Sequence, residues 1–265
     1  MTHDPLIRAK PLLQKGEAAP AIVQNPGAAS PFVLLGDHAG RRIPRALAGL
    51  GLAPPTLDRH IAWDIGVAGL GRRLSAALGA VFIRQRYSRL VIDCNRDPAR
   101  PDAMPEVSDG IPVPGNAALS EVDRRARIEA IAAPYHARIA AELDARAGRP
   151  TVVVALHSFT PVMQGFARPW RFGVLRLGPT PFSDAVLAEL IAAAGAGVVG
   201  DNEPYRMDEV DYTIPRHAIA RGLDYLELEV RQDLLAHASG QMEIAELLAG
   251  LLPRALAAAG SVPIT

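Results

Sequence analysis

The chain has 265 residues, 49% of them apolar, which suits one sizeable hydrophobic core and excludes a disordered chain. Lys+Arg and Asp+Glu each total 28, so the formal net charge is zero, which argues against a nucleic-acid footprint or an anionic-membrane binder. Cys94 is the only cysteine, so an intramolecular disulfide and a multi-cysteine zinc site are excluded and a reducing cytoplasm fits.

Residues 1–31 lack an apolar signal core, and "EAAPAIVQNPGAAS" reads as an irregular lead-in. "PFVLLGDHAG" predicts a short buried strand over Phe32–Leu35, ended by Gly36. Val67, Leu70, Leu74 and Leu78 are helix-spaced and stop at Gly79. Two strands are expected next, about Ala80–Ile83 and Arg89–Ile92. Residues 97–118 are rich in Pro and Gly and predict a long loop of the kind that often carries function.

Ser120 with Asp123 three residues on resembles a capping box. The helix it starts has an apolar stripe of Leu119, Val122, Ile128, Ile131, Tyr135, Ile139 and Leu143, a kink at Pro134 and an end at Gly148. "TVVVALHSFT" then reads as a β-branched strand, Val152–Leu156, that delivers His157 at its end. A strand near Arg171–Leu175, a helix near Phe182–Ala194, strands at Gly197–Val199 and Tyr225–Val230, and a final helix broken at Pro253 complete the chain. That final run carries Glu246 and Arg254 and makes a poor membrane span. The alternation predicts an α/β fold, one domain over 1–265, with a mixed, mostly parallel sheet and helices on both faces.

In open α/β sheets ligands bind beyond the carboxyl ends of strands. Those ends carry His38 in "GDHAGRR", Asp93, Asn95 and Arg96 in "DCNRD", His157-Ser158, and "GDNEPY"; Glu227 and Glu229 lie within the last strand. Two strand-end histidines beside carboxylates suit zinc with a position open for water. No HExxH is present, and Arg41 stands three residues after His38.

"GDHAGRRIP", "HIAWDIG", "YSRLVIDCNRDP", "LHSF", "GDNEPY" and "LELEVRQDL", in that order, resemble the N-formylglutamate amidohydrolase family and span roughly residues 32–235. The family is similar, more remotely, to zinc carboxypeptidases and aspartoacylases. The resemblance implies a zinc-peptidase-like fold with one zinc ion per chain, held by His38 and His157. Those remote peptidases place a Glu where Arg41 stands. Asp64 is the substitute third ligand, with Asp37 second; the other role open to Asp64 is a helix cap. Asn95-Arg96 match a pair that in remote relatives holds a substrate carboxylate or polarises the scissile carbonyl. Glu229 matches their general base, with Glu227 the fallback. The implied substrate is a small N-formyl or N-acyl amino acid, with N-formylglutamate cleaved to formate and glutamate the family default.

Glu227 and Glu229 share one strand face and Leu228 takes the other. Arg96 or Arg86 is the cation expected at the oxyanion, and Arg96, then Arg216, the fork for a substrate carboxylate. Glu203, Tyr205, Tyr212 and His217 are candidates for lining the pocket; loop and turn chemistry is their other reading.

"GLGRRL" lacks a third glycine and lies within a helical pattern, so it is no dinucleotide motif. No P-loop and no GxSxG elbow is present, and Cys94 at an apolar strand end reads as a small core residue. A second class stays open on the residue at position 41: a non-catalytic member of the fold that binds a small acidic ligand.

Overall fold

The computed structural model describes residues 11–260. Seven strands form its main sheet: β1 (Ala21–Gln24), β2 (Phe32–Gly36), β3 (Val81–Gln85), β4 (Val152–Phe159), β5 (Phe172–Leu175), β6 (Val199–Asp201) and β7 (Asp224–Arg231). Their order is β1-β3-β2-β4-β7-β5-β6. Only the β1–β3 and β7–β5 pairs are antiparallel, so the sheet is mixed and mostly parallel.

Helices cover both faces. On one face lie α1 (Val67–Leu78), α4 (Pro181–Ala194) and α6 (Ala238–Ala258), which pack Leu70, Val186 and Leu248 against Leu156 and Leu228. On the other lie α2 (Glu121–Arg127), α3 (Ala133–Asp144) and α5 (Thr213–His217), which contribute Tyr135, Ile139 and Ile214 to a second core with Val153 and Ala155. Each such fully buried aliphatic side chain contributes about 1.5–3 kcal/mol. Gly71 in α1 is a packing residue: a Cβ there would run into the Phe82 ring. This gives "GLGRRL" its role, close approach of helix to sheet.

Several expectations are corrected. The lead-in is not wholly irregular, because Ala21–Gln24 pairs with Phe82–Gln85 as an edge strand. Arg89–Ile92 is a buried turn and not a strand. The Val91 N–H donates to the Ser88 carbonyl at 3.0 Å, and Ser88 Oγ donates to the Ala62 carbonyl at 2.6 Å. Leu90, Val91 and Ile92 bury themselves in the core under α3 without any strand partner, which is why an apolar run imitates a strand.

β4 runs two residues past His157, so that histidine lies inside the strand. The short strand falls at Val199–Asp201, since Ala196–Val198 forms a single 3-10 turn. Val122 is 60% exposed and leaves the predicted stripe. A π-type turn, Ile128–Ala132, joins α2 to α3 just before Pro134, and the helix ends at Asp144 rather than Gly148. Pro253 does not break α6, whose Leu251, Leu252, Ala255 and Leu256 stay buried through it; Arg254 Nη1 donates to the nearby Gly250 carbonyl at 2.7 Å. No described helix is long and apolar enough to cross a membrane.

The connection from β2 goes through α1 to β3 on one side, and the chain then returns over α2 and α3 to β4 on the other. β2 and β4 therefore flank the point where the strand order reverses, the usual place for a ligand crevice. Gly40 shapes the loop after β2, because a Cβ there would overlap the Arg86 backbone. Gly40→Ala should cost about 1–3 kcal/mol of stability, read as a lower urea midpoint at unchanged slope. An unchanged midpoint would show that the loop gives way freely.

Candidate active site

The crevice beyond β2, β4 and β7 holds a cavity of about 550 Å³ lined by His38, Asp64, Arg89, Asp93, His157 and Glu229 among others. Register explains the grouping. Glu229 pairs with His157 across the β7–β4 ladder, and Glu227 pairs with Ala155, so both carboxylates point to the His157 side while Leu226 and Leu228 enter the opposite core. His38 lies two residues past the end of β2. Asp64 is tied in by its own N–H, which donates to the His38 carbonyl at 2.9 Å. It does not cap α1, whose N-cap is Gly66.

Asp64 Oδ2 lies 3.6 Å from His38 Nδ1 and 3.0 Å from His157 Nδ1, and it accepts the Ser158 N–H at 3.2 Å. The opposite ring nitrogens also face carboxylates. His38 Nε2 is 2.6 Å from Asp93 Oδ1; His157 Nε2 is 3.6 Å from Glu227 Oε1 and 3.8 Å from Asp37 Oδ2. Imidazoles that face one shared oxygen and are backed by carboxylates form the usual pattern of metal-ligating histidines with oriented rings. His38 Nδ1 and His157 Nε2 are buried without a hydrogen-bond partner among the described residues. This buried His38–Asp64–His157 group can hold a metal ion, its ligand atoms all lying within 4.8 Å of one another. His157, Glu227 and Glu229 form an overlapping group of the same kind.

Electrostatics in the site follow from burial and pairing. Burial alone would raise the Asp64 carboxyl, but the His38 and His157 rings outweigh it and hold it below the usual carboxylate range. Burial likewise opposes ionisation of Asp93, and Arg89 with His38 reverses the effect. Burial and Arg89 push His38 down, while Asp93 and Asp64 lift it above its ordinary value. At Glu227 and Glu229 burial is the larger effect and His157 offsets it only in part, so they are pushed up to about 7 and about 8.

The expected site residues separate into two places. His38, Asp64, His157, Glu227, Glu229, Asn95, Arg96 and Tyr205 line the crevice. Arg216 and His217 do not; they line a second cavity of about 520 Å³ with His136 and Tyr212. There His217 Nε2 is 3.0 Å from His136 Nδ1, and burial pushes these rings down to about 3 and about 4. Glu203 is exposed off the crevice wall, with its carbonyl against Gly173. Asp37 is buried beneath the site and accepts the Tyr135 hydroxyl at 2.8 Å. Arg86 Nε donates away from the site to the Ala19 carbonyl, and Arg41 pairs with Asp58 at the surface. Burial raises the Cys94 thiol, consistent with an inert core residue. Another cavity, about 850 Å³ beside Pro11 and Val122, has no such convergence of ligating groups.

Arg89 is the residue the sequence concealed. Read as the start of a strand, it instead sits on the buried turn. Its Nε and Nη2 donate to Asp93 Oδ2 at 3.1 and 2.7 Å, and its Nη1 reaches toward Asp64 at 3.5 Å. The Ser88-Arg89 step beside an Asp93-Asn95 turn is the only sequence sign of it.

The family described as N-formylglutamate amidohydrolase matches residues 30–236. The chain is similar to a gene product of Agrobacterium tumefaciens of known crystal structure: 38% identity, 93% of this chain and 98% of that one covered, TM-score 0.88. It shares its fold with an N-formylglutamate amidohydrolase from Ralstonia eutropha: 21% identity, 92% and 100% coverage, TM-score 0.66. No curated protein matches it. With the crevice built over the span that the family covers, the chain belongs to the N-formylglutamate amidohydrolase family.

Proposed function

We propose that this protein is a zinc-dependent amidohydrolase that cleaves the amide of an N-formyl or N-acyl amino acid, with N-formylglutamate, split to formate and glutamate, the first substrate to test. The observation that carries this reading is the convergence of His38, Asp64 and His157 beside an unpaired, buried Glu229 in a crevice of an amidohydrolase family member. A two-nitrogen, one-carboxylate donor set fits zinc with a position left open. Zinc there would supply Lewis acidity that polarises the amide carbonyl and acidifies the attacking water.

The chain's own residues would do the rest. Glu229 takes the proton of the attacking water at its carboxylate and passes it to the leaving nitrogen. Its raised pKa suits that exchange, since a group near neutrality both accepts and returns a proton. Asp93 stands behind His38 and holds its ring, while Glu227 faces His157 Nε2 at 3.6 Å as a charge rather than a hydrogen-bond partner. Arg89, whose Nη1 lies 3.5 Å from Asp64 Oδ1, offers a guanidinium beside the ligand group for charge developing on the carbonyl oxygen. Arg96 is turned elsewhere, toward the Asn95 and Val210 carbonyls, so its part is to shape the wall.

The test is formate or amine release over N-formyl and N-acetyl amino acids, with and without chelator. Activity should vanish on chelation and return with zinc. Hydrolysis indifferent to chelator would overturn the mechanism.

A further inference from the structure

Arg127 ends α2 and is only 1% exposed, yet no carboxylate pairs with it among the described residues. Its hydrogen bonds go to neutral acceptors. Nη1 donates to the Val91 carbonyl at 3.0 Å and to Asn116 Oδ1 at 2.6 Å, and Nη2 to the Gly115 carbonyl at 2.8 Å. Nε is buried without a partner among the described residues. In Arg89, Arg100 and Arg231 the Nε–Nη2 edge is the one that grips a carboxylate. Asp123, one helical turn before Arg127, lends charge at longer range, but its Oδ2 accepts the Ser120 hydroxyl at 2.6 Å within the helix cap. Burial pushes the Arg127 guanidinium down to about 10. An arginine this deeply buried is rarely left without a countercharge.

A structural role accounts for part of this arrangement. Arg127 holds the Val91 carbonyl directly and the Leu90 carbonyl through Asn116 Nδ2, which donates to it at 2.8 Å, so it fixes the turn that carries Arg89. Those acceptors orient the guanidinium, but they bring no negative charge and leave Nε idle.

What lies in front of Arg127 is the cavity of about 850 Å³. Its wall is mostly apolar, with Leu12, Leu47, Leu119 and the 60% exposed Val122. Lys15, which is exposed, adds a second cation with no carboxylate partner among the described residues. None of the lining residues is shared with the crevice.

We infer that this cavity is a second ligand site, for a small carboxylate with an apolar body. The carboxylate meets Arg127 at Nε, and the body lies along Leu12, Leu47, Leu119 and Val122. A carboxylate there forms a charge-assisted bond and neutralises a buried cation, and the apolar body leaves water. The site stands independently of the amidohydrolase reading.

The full chain is titrated by calorimetry with octanoate and with octanol, which has the same body and no charge. The same titrations on the His38→Ala, His157→Ala double variant remove the crevice metal site, the other group able to receive a carboxylate. Octanoate should bind both proteins alike, and octanol about tenfold or more weakly than octanoate. Arg127→Gln should bring octanoate down to the level of octanol. That change can also loosen the turn, so Ala126→Leu, which narrows the cavity and keeps the guanidinium, is the second variant. It should weaken octanoate about tenfold at an unchanged melting temperature. Equal affinity for octanoate and octanol, no binding of octanoate, binding lost in the double variant, or binding undiminished in Ala126→Leu each overturns the inference. Sedimentation covers the remaining occupant: a parent protein that forms a dimer, and binds octanoate only when diluted to monomer, gives the groove to a second copy and overturns it too.

Discussion

Glu229→Gln is expected to keep the fold and the bound zinc and to lower kcat by about 10²–10⁴-fold, the range for losing a positioned general base. KM should change far less, because the amide replaces the carboxylate atom for atom. The pH profile makes the test specific to this group. A base must be unprotonated to act, so kcat/KM falls on the acid side of its pKa. Burial pushes Glu229 from 4.5 up to about 8. A divalent cation beside it favours the charged form, so the acid limb of the loaded enzyme should fall between those two values and be missing in the Gln variant.

Stability of the metal-free protein checks the same group. Its folded pKa is raised, so the folded state holds the proton from pH 4.5 to about 8 while the unfolded chain releases it. Stability is therefore lost as pH rises through that window. Glu229→Gln should melt like the parent below pH 4.5 and above it at higher temperature. Equal melting at pH 8 would show that burial does not raise the Glu229 carboxyl, and an acid limb that survives in Glu229→Gln would pass the role of base to Glu227, the neighbour on the same strand face.

The second large effect concerns the metal. His38→Ala and His157→Ala should each reduce bound zinc from one per chain to near zero after dialysis against a mild chelator, and abolish turnover. Asp64→Asn should follow them, since the amide keeps the size but not the charge that faces both rings. Asp93→Asn is the informative contrast. Its oxygen is 2.6 Å from His38 Nε2 on the side away from Asp64, so it acts on the ring rather than on the ion. Removing such a partner typically costs 10–100-fold in metal affinity. Zinc content is the readout in each case. Full zinc in the His38→Ala, His157→Ala double variant would place the ion elsewhere, and a tight-binding Asp93→Asn would show that the ring is held without its carboxylate. Affinity should also fall with acidity, because His38 and His157 are lifted above their ordinary values and protons compete for the ligand nitrogens.

Periodicity along the chain was enough for the elements that pack by a simple rule. Val67, Leu70, Leu74 and Leu78 recur every third or fourth residue because one helix face meets the sheet, and they end at Gly79 in the left-handed conformation. The alternation of Glu227 and Glu229 with Leu226, Leu228 and Val230 placed both carboxylates on one face, and the ladder to β4 keeps them there. His38 and His157 stood out only as a pair beside carboxylates, since either one alone at a strand end reads more readily as a satisfied structural residue.

Tertiary structure alone decided the rest. Arg89–Ile92 is as apolar as a strand, and only the Ser88 hydrogen bonds and the core under α3 make it a turn that aims Arg89 at Asp64 and Asp93. His217 and Arg216 follow Asp211 closely in sequence, yet α5 carries them to a separate cavity with His136 while Asp211 stays on the crevice wall. Nothing local to "DCNRD" reveals that its Asn-Arg pair is filled by a carboxylate more than a hundred residues away. Residue type and spacing determine which chemistry a chain can host, because side-chain period and strand polarity are local properties. Which groups meet, and which are already spent on one another, depends on distances between segments far apart in the chain.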